Sequence, residues 1–480
     1  MGAQSVLGAR FQIVPTHVTP DVIVIGGGVA GFSAATALAE AGAQVLLLEA
    51  RPGLGGRATA FTDPGTGERV DNGQHILMGC YYDTLKLLAR IGASDRVRWQ
   101  AGLALTMVDE RGHESVLKLP PMASPLHLLG GVLAWDALSW FERMSILRVG
   151  AALTPRGPGT GVAVVPGGQN FSSASRESVR EWLVRHGQAP RLCELFWEPL
   201  ALAALNQSID QAAASYFVTI LAQMFGPDST AAALVMPAVP LDELYAEPAR
   251  AWLEARGHEV RVNAPVKVEV VADRVTGVRV RGEHLAAPWV ISTVPWHGLG
   301  ALFESPPQSL AMTIANATAL GSLPIVTVNL WFDRPVMHES LIGLPGRAFQ
   351  WVFDRRAIIG GASSHLSMIS SGAEAIVAMS NDELIALALA DVRAALPAAR
   401  IASVRKGLAV REKRSTFSLA PDAPARPQAE TGIAGFLLAG DWIDTGLPAT
   451  IESAAVSGHR AAALVVQGLP APSRTSPHHQ

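Results

Sequence analysis

Asp21-Val22-Ile23-Val24-Ile25-Gly26-Gly27-Gly28-Val29-Ala30-Gly31, closed by Glu49 at the end of a second apolar run, decides the fold of this chain. Residues 22–25 are a short β-branched run. Gly26, Gly28 and Gly31 follow it at the G-x-G-x-x-G spacing, ahead of an alanine-rich helical stretch over 32–41. Gly26 permits the tight strand-to-helix turn, Gly28 lets backbone approach a pyrophosphate, and Gly31 allows the helix to pack closely on the strand. Val29 and Ala30 then present first-turn N–H groups and the positive end of the helix dipole to the phosphates. Residues 45–48 make the second strand. Glu49 stands roughly 20 residues past the glycines, where a carboxylate accepts from ribose hydroxyls and repels a 2′-phosphate. The order strand, glycines, helix, strand, acid predicts a dinucleotide cradle that disfavours NADP.

A second glycine turn follows directly, Ala50-Arg51-Pro52-Gly53-Leu54-Gly55-Gly56-Arg57, ending in a guanidinium that can fork onto phosphate oxygens. Here the chain resembles the flavin amine oxidase and carotenoid desaturase superfamily, whose members carry a Gly-Gly-Arg turn soon after the ribose-binding Glu. That resemblance moves the ligand from NAD to FAD and lays Arg57 along its pyrophosphate. The far end of the chain looks like the same superfamily. An apolar strand over 435–439 leads to Gly440-Asp441, and 445–453 runs into a second alanine-rich helix. By resemblance, Gly440 and Asp441 touch pyrophosphate and ribityl hydroxyls, and the helix start at Ala449, Thr450 and Ile451 points at the pyrimidine edge of the flavin. A reduced flavin carries negative charge there, which free N–H groups and the helix dipole stabilise. Thr450 is the expected N-cap.

Composition narrows the ligand class. With 49% hydrophobic and only 16% charged residues, this 480-residue chain is apolar for a protein in water, so it handles something greasy. Its formal net charge of −3 gives no general attraction to nucleic acid. Cys80 and Cys193 lack C-x-x-C partners, which argues against a disulfide framework or a metal site and fits a reducing cytoplasm. Residues 1–20 read as a loose leader and 469–480 as a disordered tail. No uninterrupted apolar stretch is long enough to span a bilayer; 117–141 comes closest, but Lys118, three prolines, His127 and Asp136 break it. That stretch predicts an apolar lid, either buried or dipping into one leaflet as a peripheral contact at the inner face of the cytoplasmic membrane.

Because the two cradle segments bracket everything else, the fold class is α/β with a discontinuous Rossmann-like FAD-binding domain over 21–83, 241–295 and 416–468. A parallel sheet with helices carries an inserted antiparallel meander, with strands read over 259–262, 266–271, 277–281 and 289–293; by the resemblance, 290–293 rejoins the parallel sheet. By the resemblance, Val266 presents its backbone to the adenine. A mixed α+β substrate domain is expected over 84–240 and 296–415, helical over 175–186, 191–204 and 209–225 with prolines punctuating the helices, and strand-like over 325–332. Phe217, Met224, Phe225, Trp331, Phe332 and Trp351 are candidates to line an apolar tunnel.

The sharpest clue to chemistry is Asp71-Asn72-Gly73-Gln74-His75-Ile76-Leu77-Met78-Gly79-Cys80-Tyr81, which in carotenoid desaturase relatives passes the flavin ring. Taken with Leu119-Pro120-Pro121, Trp197-Glu198-Pro199-Leu200, Asn206, the run 411–418 and Gly440-Asp441-Trp442, the chain resembles the squalene-associated branch, the hydroxysqualene dehydroxylases. The resemblance implies reductive removal of an allylic hydroxyl from hydroxysqualene, with hydride from reduced FAD, in squalene and hopanoid formation. It places Gly73, Gln74 and His75 against the cofactor. Leaving hydroxide needs a proton, so a general acid is expected, with His75 first and Tyr81, Tyr82 and Glu198 behind it. A carotenoid-type desaturase or amine oxidase of the same superfamily, or a non-catalytic flavin-binding scaffold, is the alternative. Lys406 and Lys413 read as an exposed charged stretch, unlike the flavin-facing Lys of many amine oxidases. The glycine run 157–161 lacks flanking strand and helix, so no nicotinamide domain is built in and a separate electron donor is expected.

Overall fold

The computed structural model describes residues 19–122, 126–153, 176–361 and 364–469. The leader, nearly all of the tail and the 157–161 glycine run lie outside them. Val22–Ile25 is fully buried and sits between Val45–Leu48 and Trp289–Ser292, both parallel to it. Glu259–Arg261 and Phe436–Leu438 extend the parallel sheet at its two edges. Four separate parts of the chain thus meet in five strands. An all-parallel sheet needs both faces covered, which explains apolar runs with no polar alternation. Helix Val29–Glu40 and the last helix, Ile451–Gly468, pack against each other as part of that cover. Their contact is close: a Cβ on Gly458 would lie 2.3 Å from the Ala30 carbonyl oxygen.

The expected meander is present as Val266–Val271, Arg274–Val280 and Glu283–Ala286, an antiparallel sheet of its own. Glu259–Arg261 does not join it. It belongs to the parallel sheet, and Val266, paired with Val280, opens the meander after the chain has turned at Asn263.

The remaining chain builds a seven-stranded mixed sheet in the order Val404–Thr416, Leu323–Phe332, Ser364–Ser370, Trp351–Asp354, Leu341–Gly343, Ala104–Val108, Glu114–Lys118. Leu323–Phe332 is covered on both faces, and alternation sorts its side chains. Val326, Val328, Leu330 and Phe332 join the apolar cluster that includes Leu384, Ala388 and Val392 of helix Asn381–Ala395. Ile325, Thr327, Asn329 and Trp331 occupy the alternate positions, on the face where Trp331 meets Glu68 and Thr327 approaches Gly73.

Two prolines lie inside helices, Pro199 within the one expected over 191–204 and Pro248 within Glu247–Glu254. The run Pro190–Leu192, Cys193–Trp197, Glu198–Leu205 is one rod with a π-helical middle ahead of Pro199. Asp242–Ala246 is the same device ahead of Pro248. Proline lacks an N–H and its ring crowds the carbonyl four residues back, so the preceding turn widens and the helix continues. Further on, Ala214–Met224 starts five residues after the expected 209. The 83/84 division falls inside Tyr82–Arg90, which packs on Ile451–Gly468.

Replacing Gly458 with Val should wedge the two cofactor-side helices apart. We expect a loss of about 2 kcal/mol or more, read as a lower denaturant midpoint at unchanged slope.

Candidate functional site

The cradle is assembled at the carboxyl ends of the parallel strands. Gly26 sits at φ +110°, and a Cβ there would lie 2.4 Å from Thr293 Oγ1. A Cβ on Gly31 would lie 1.9 Å from the Gly26 carbonyl oxygen. Only hydrogen fits at either position. Gly28 differs: its Cβ would meet nothing closer than the Gly56 Cα, at 3.8 Å, while a Cβ on Gly56 would lie 3.3 Å from the Gly28 Cα, so the two glycine turns pack face to face. Gly28 is the N-cap of helix Val29–Glu40 and offers no side-chain oxygen. The N–H groups of Val29, Ala30 and Gly31 are therefore buried without a cap, the arrangement that receives a phosphate.

Glu49 is anchored by accepting from Gly27 N (2.7 Å) and Arg51 N (2.9 Å), which leaves further lone pairs for ribose hydroxyls. Its own N–H donates to Arg261 O, and its carbonyl accepts from Ala264 N, so the strand at the sheet edge closes this side. Ala50 and Arg51 are exposed there. Gly55 N donates to Gly27 O (2.8 Å), and the buried Tyr245 hydroxyl donates to Gly55 O (2.5 Å). Arg57 pairs with Asp441, donates to Ser415 O (2.7 Å) and stacks over Trp296 at 5.3 Å. Burial works against the guanidinium's charge, and Asp441 more than restores it, so its pKa rises. N- and C-terminal cofactor segments are thus joined by one ion pair.

At the far end, Thr450 Oγ1 accepts from Ser453 N (3.1 Å), which makes it the N-cap of Ile451–Gly468. Gly440 N donates to Ser457 Oγ (2.8 Å), and the Asp441 carbonyl accepts from Ser453 Oγ (3.1 Å). Arg426, absent from the sequence-based candidates, is buried beneath this loop. It donates to Leu447 O (2.7 Å) and lies over the Tyr216 and Phe417 rings. Ala449 and Ile451 are partly exposed at the mouth.

The 71–75 segment crosses from the cradle to the mixed sheet. Asp71 forms a buried ion pair with Arg355, and Arg355 also donates to Gln74 Oε1 (2.6 Å). Burial pushes the Asp71 carboxyl up against the pull of Arg355. Asn72 bridges to Arg57 O (2.5 Å) and Thr59 N (3.3 Å). A Cβ on Gly73 would lie 3.7 Å from Thr327 Oγ1, a buried hydroxyl with no protein partner. His75 is partly buried, and no described group hydrogen-bonds its ring. Burial, then the neighbouring Arg57 guanidinium, lowers its pKa to about 4.

Other candidates are placed elsewhere. Glu198 accepts from Ile209 N (3.1 Å); its charged neighbours are Asp210 and Arg180, and burial raises its pKa. It closes a helix-to-loop turn rather than joining His75. Tyr81 packs between the two large apolar clusters, and Tyr82 is exposed, donating to Asp228 (2.9 Å). Lys406 is not free: register sets it opposite Trp331, where it pairs with Asp63 and lies over the indole at 5.7 Å. Of the tunnel candidates, Phe217 is fully buried edge-on against Trp197 (5.9 Å) and Phe332 faces the covering helix, so both are core. Trp331 donates to Glu68 (2.9 Å) and stacks on His365. Asn206 is a staple at φ +54°, bonding Thr416 Oγ1 (3.0 Å) and Gly372 N (2.7 Å).

Glu452 is 3% exposed and accepts from Asp83 N, Thr84 N and Thr84 Oγ1 at 2.7–2.9 Å. It caps helix Tyr82–Arg90 from inside the cofactor-side helix. Burial raises its pKa to about 7, and the three donors only partly offset this.

The residues fit FAD: an uncapped buried helix start, two facing glycines, an anchored acid and a paired guanidinium. Gly28→Ala keeps an allowed backbone and touches no protein atom closer than 3.8 Å. It should fold with the thermal midpoint of wild-type apoprotein yet lose FAD affinity by about tenfold or more, measured by flavin fluorescence titration. For Glu452 the raised pKa means that its contribution to stability is fully present below about 4.5 and is lost as pH rises to about 7. Apoprotein stability should therefore fall across that window by roughly 3 kcal/mol more in wild type than in Glu452→Gln, measured by urea unfolding.

Comparison with known proteins points to the same class of cofactor. Residues 29–466 match the family model described as flavin-containing amine oxidoreductase. The chain is 29% identical over 460 residues to a hydroxysqualene dehydroxylase of Rhodopseudomonas palustris, covering 93% of this chain and 98% of that protein. It is 24% identical to a 15-cis-phytoene desaturase of Synechococcus elongatus, covering 93% and 95%. Among solved structures, an oxidoreductase from Methanosarcina mazei superposes with a TM-score of 0.69 at 18% identity, over 92% of this chain and 99% of that one. The fold is that of FAD-dependent oxidoreductases, and the chain belongs to the flavin-containing amine oxidoreductase family.

Proposed function

We propose that this flavoprotein removes the allylic hydroxyl of a long isoprenoid alcohol of the hydroxysqualene type, giving squalene and water. The observation that carries the reading is the His75 imidazole, partly buried beside Arg57 and without a protein hydrogen-bond partner among the described residues. A ring kept neutral by burial, with both nitrogens unclaimed, suits a substrate hydroxyl better than a structural bond.

In the reaction the C–O bond breaks with its electron pair, a C–H bond forms at the same carbon, and the departing hydroxide takes one proton. Bound FAD, when reduced, supplies the hydride. Gly28, Glu49, Arg57, Asp441 and the helix start at Thr450 would hold it, with Val266 beside the adenine and Gly73 and Gln74 along the ring. One nitrogen of His75 donates its proton to the leaving oxygen, which departs as water, while the other takes up a proton from solvent, so each turnover consumes one proton. The imidazole thereby relays a proton without resting as a cation, in keeping with its low pKa. Ile76, Tyr81, Tyr216 and Ile325, all partly buried against the main apolar cluster, offer surface that strips water from the polyene chain. Tyr81 and Glu198 are left without a proton-transfer role: a partly buried phenol with a raised pKa and a turn-closing carboxyl. Electrons come from a separate donor.

The similarity to the Rhodopseudomonas dehydroxylase supports this direction, and similarity to the Synechococcus desaturase keeps polyene formation as the competing outcome. Hydroxysqualene added anaerobically to the photoreduced flavoprotein should reoxidise it with stoichiometric squalene. Flavin that stays reduced until quinone is added, with a newly conjugated polyene as product, would show a desaturase. His75→Ala should slow squalene release by about a hundredfold at unchanged FAD content, and undiminished release would remove His75 from the mechanism.

A further inference from the structure

Among the described residues, three buried polar atoms on one face of the seven-stranded sheet have no protein partner: Thr327 Oγ1, Asn329 Nδ2 and Trp351 Nε1. Thr327 and Asn329 are each 1% exposed. A donor or acceptor left buried and unpaired is costly, so a protein keeps few of them. Register sets these three on the same side. Thr327 stands opposite Ile369 and Ile369 opposite Trp351, which makes one cross-strand row; Asn329, Ser367 and Phe353 make the next. Ile369 and Phe353 belong to the main apolar cluster, whereas their chain neighbours Met368 and Val352 belong to the cluster under helix Asn381–Ala395. The row therefore faces away from that helix.

The segment 68–76 lies over this face. Glu68 receives the Trp331 indole, a Cβ on Gly73 would come within 3.7 Å of Thr327 Oγ1, and Ile76 packs against the cluster that holds Ile369. Trp351 is oriented by its register partner Gly343. A Cβ there would lie 3.1 Å from the indole Cζ3, so the carbocyclic edge covers Gly343 and the N–H edge turns away from that strand. Asn329 is held at its other end by His365 Nε2 (2.9 Å), which leaves Thr327 and Trp351 as the two groups flanking apolar Ile369.

The chemistry of the pair selects the ligand. Both side chains are neutral, and Arg355, just past the end of Trp351–Asp354, is already paired with Asp71. A lipid hydroxyl can accept from the indole N–H and donate to the threonine oxygen. A hydrocarbon can do neither and leaves both groups buried and unpaired.

We propose that Thr327 and Trp351 form the subsite that holds the hydroxyl oxygen of the lipid, selecting an oxygen-bearing isoprenoid over a hydrocarbon of the same length. The inference rests on the proposed dehydroxylation and deepens it, by naming the residues that tell hydroxysqualene from its product.

Detergent-dispersed hydroxysqualene and squalene titrated separately into the oxidised, FAD-loaded full chain, which has no hydride to give, test this by the change in flavin absorbance. Wild type should bind hydroxysqualene about a hundredfold more tightly than squalene. Thr327→Val exchanges a hydroxyl for a methyl of similar volume and should cut that preference by about tenfold, with squalene binding unchanged. Its thermal midpoint should be no lower than wild type, since the hydroxyl has no protein bond to lose. Trp351→Phe should cut the preference in the same direction. A wild-type preference that survives in both variants overturns the subsite and leaves the dehydroxylation standing, and so does equal weakening of both ligands, which would make Thr327 and Trp351 wall residues only. Squalene bound by wild type as tightly as hydroxysqualene would overturn both readings.

Discussion

Everything at the site depends on how closely backbone can approach backbone around helix Val29–Glu40. Its first turn lies against the Gly26 carbonyl, and its flank at Ala30 lies against Gly458 of the last helix. Both contacts are shorter than any side chain allows, so the helix start is pinned in direction as well as position. Because the N-cap is a glycine that contributes no oxygen, the pinned N–H groups point into space with no internal acceptor. Burying uncapped donors is costly, and a phosphate is the group that relieves it. The cofactor requirement is therefore written into the packing geometry.

Around that centre, polar ties hold segments that are far apart in sequence. Arg57 reaches Asp441, Asp71 reaches Arg355, Asp63 reaches Lys406, and Glu68 receives the Trp331 indole. Lys406 and Trp331 stand on the mixed sheet and Arg355 opens the short helix after Trp351–Asp354, so three of the four ties hold the stretch 57–75 against that side of the molecule. Buried ion pairs of this kind add little net stability over apolar residues of equal volume, yet losing one partner is expensive. They fix where the two halves meet. Gln74 shows the consequence: its carbonyl oxygen is committed to Arg355, which anchors the segment that carries Gly73 and His75.

Much of the cradle was legible because its signals are local. Glycine spacing, strand length and the acid after the second strand depend on chain geometry within about fifty residues, and Glu49, Gly28 and Thr450 all occur in the expected local settings. The helix expected over 191–204 was legible even though Pro199 lies inside it. At Pro199 and Pro248 the chain widens to a π turn and goes on, because neighbouring packing rewards continuity more than the widened turn costs. Glu198 and Asn206, singled out with the segments that suggested a chemistry, serve as a turn closure and a staple, since a motif records residue type but not the partner that uses it.

By itself the sequence determined the dinucleotide cradle, its acid and its paired termini, because those follow from backbone sterics and the fixed periods of strand and helix. Only the tertiary structure decided the partners of Asp71, Lys406 and Glu452, the isolation of the His75 ring, and the exposure of Trp140 and Phe141. The physical reason is distance along the chain. Asp71 and Arg355 are separated by 284 residues, and Glu452 and Thr84 by 368. No local pattern states which charges will be buried together or which apolar face will find no cover.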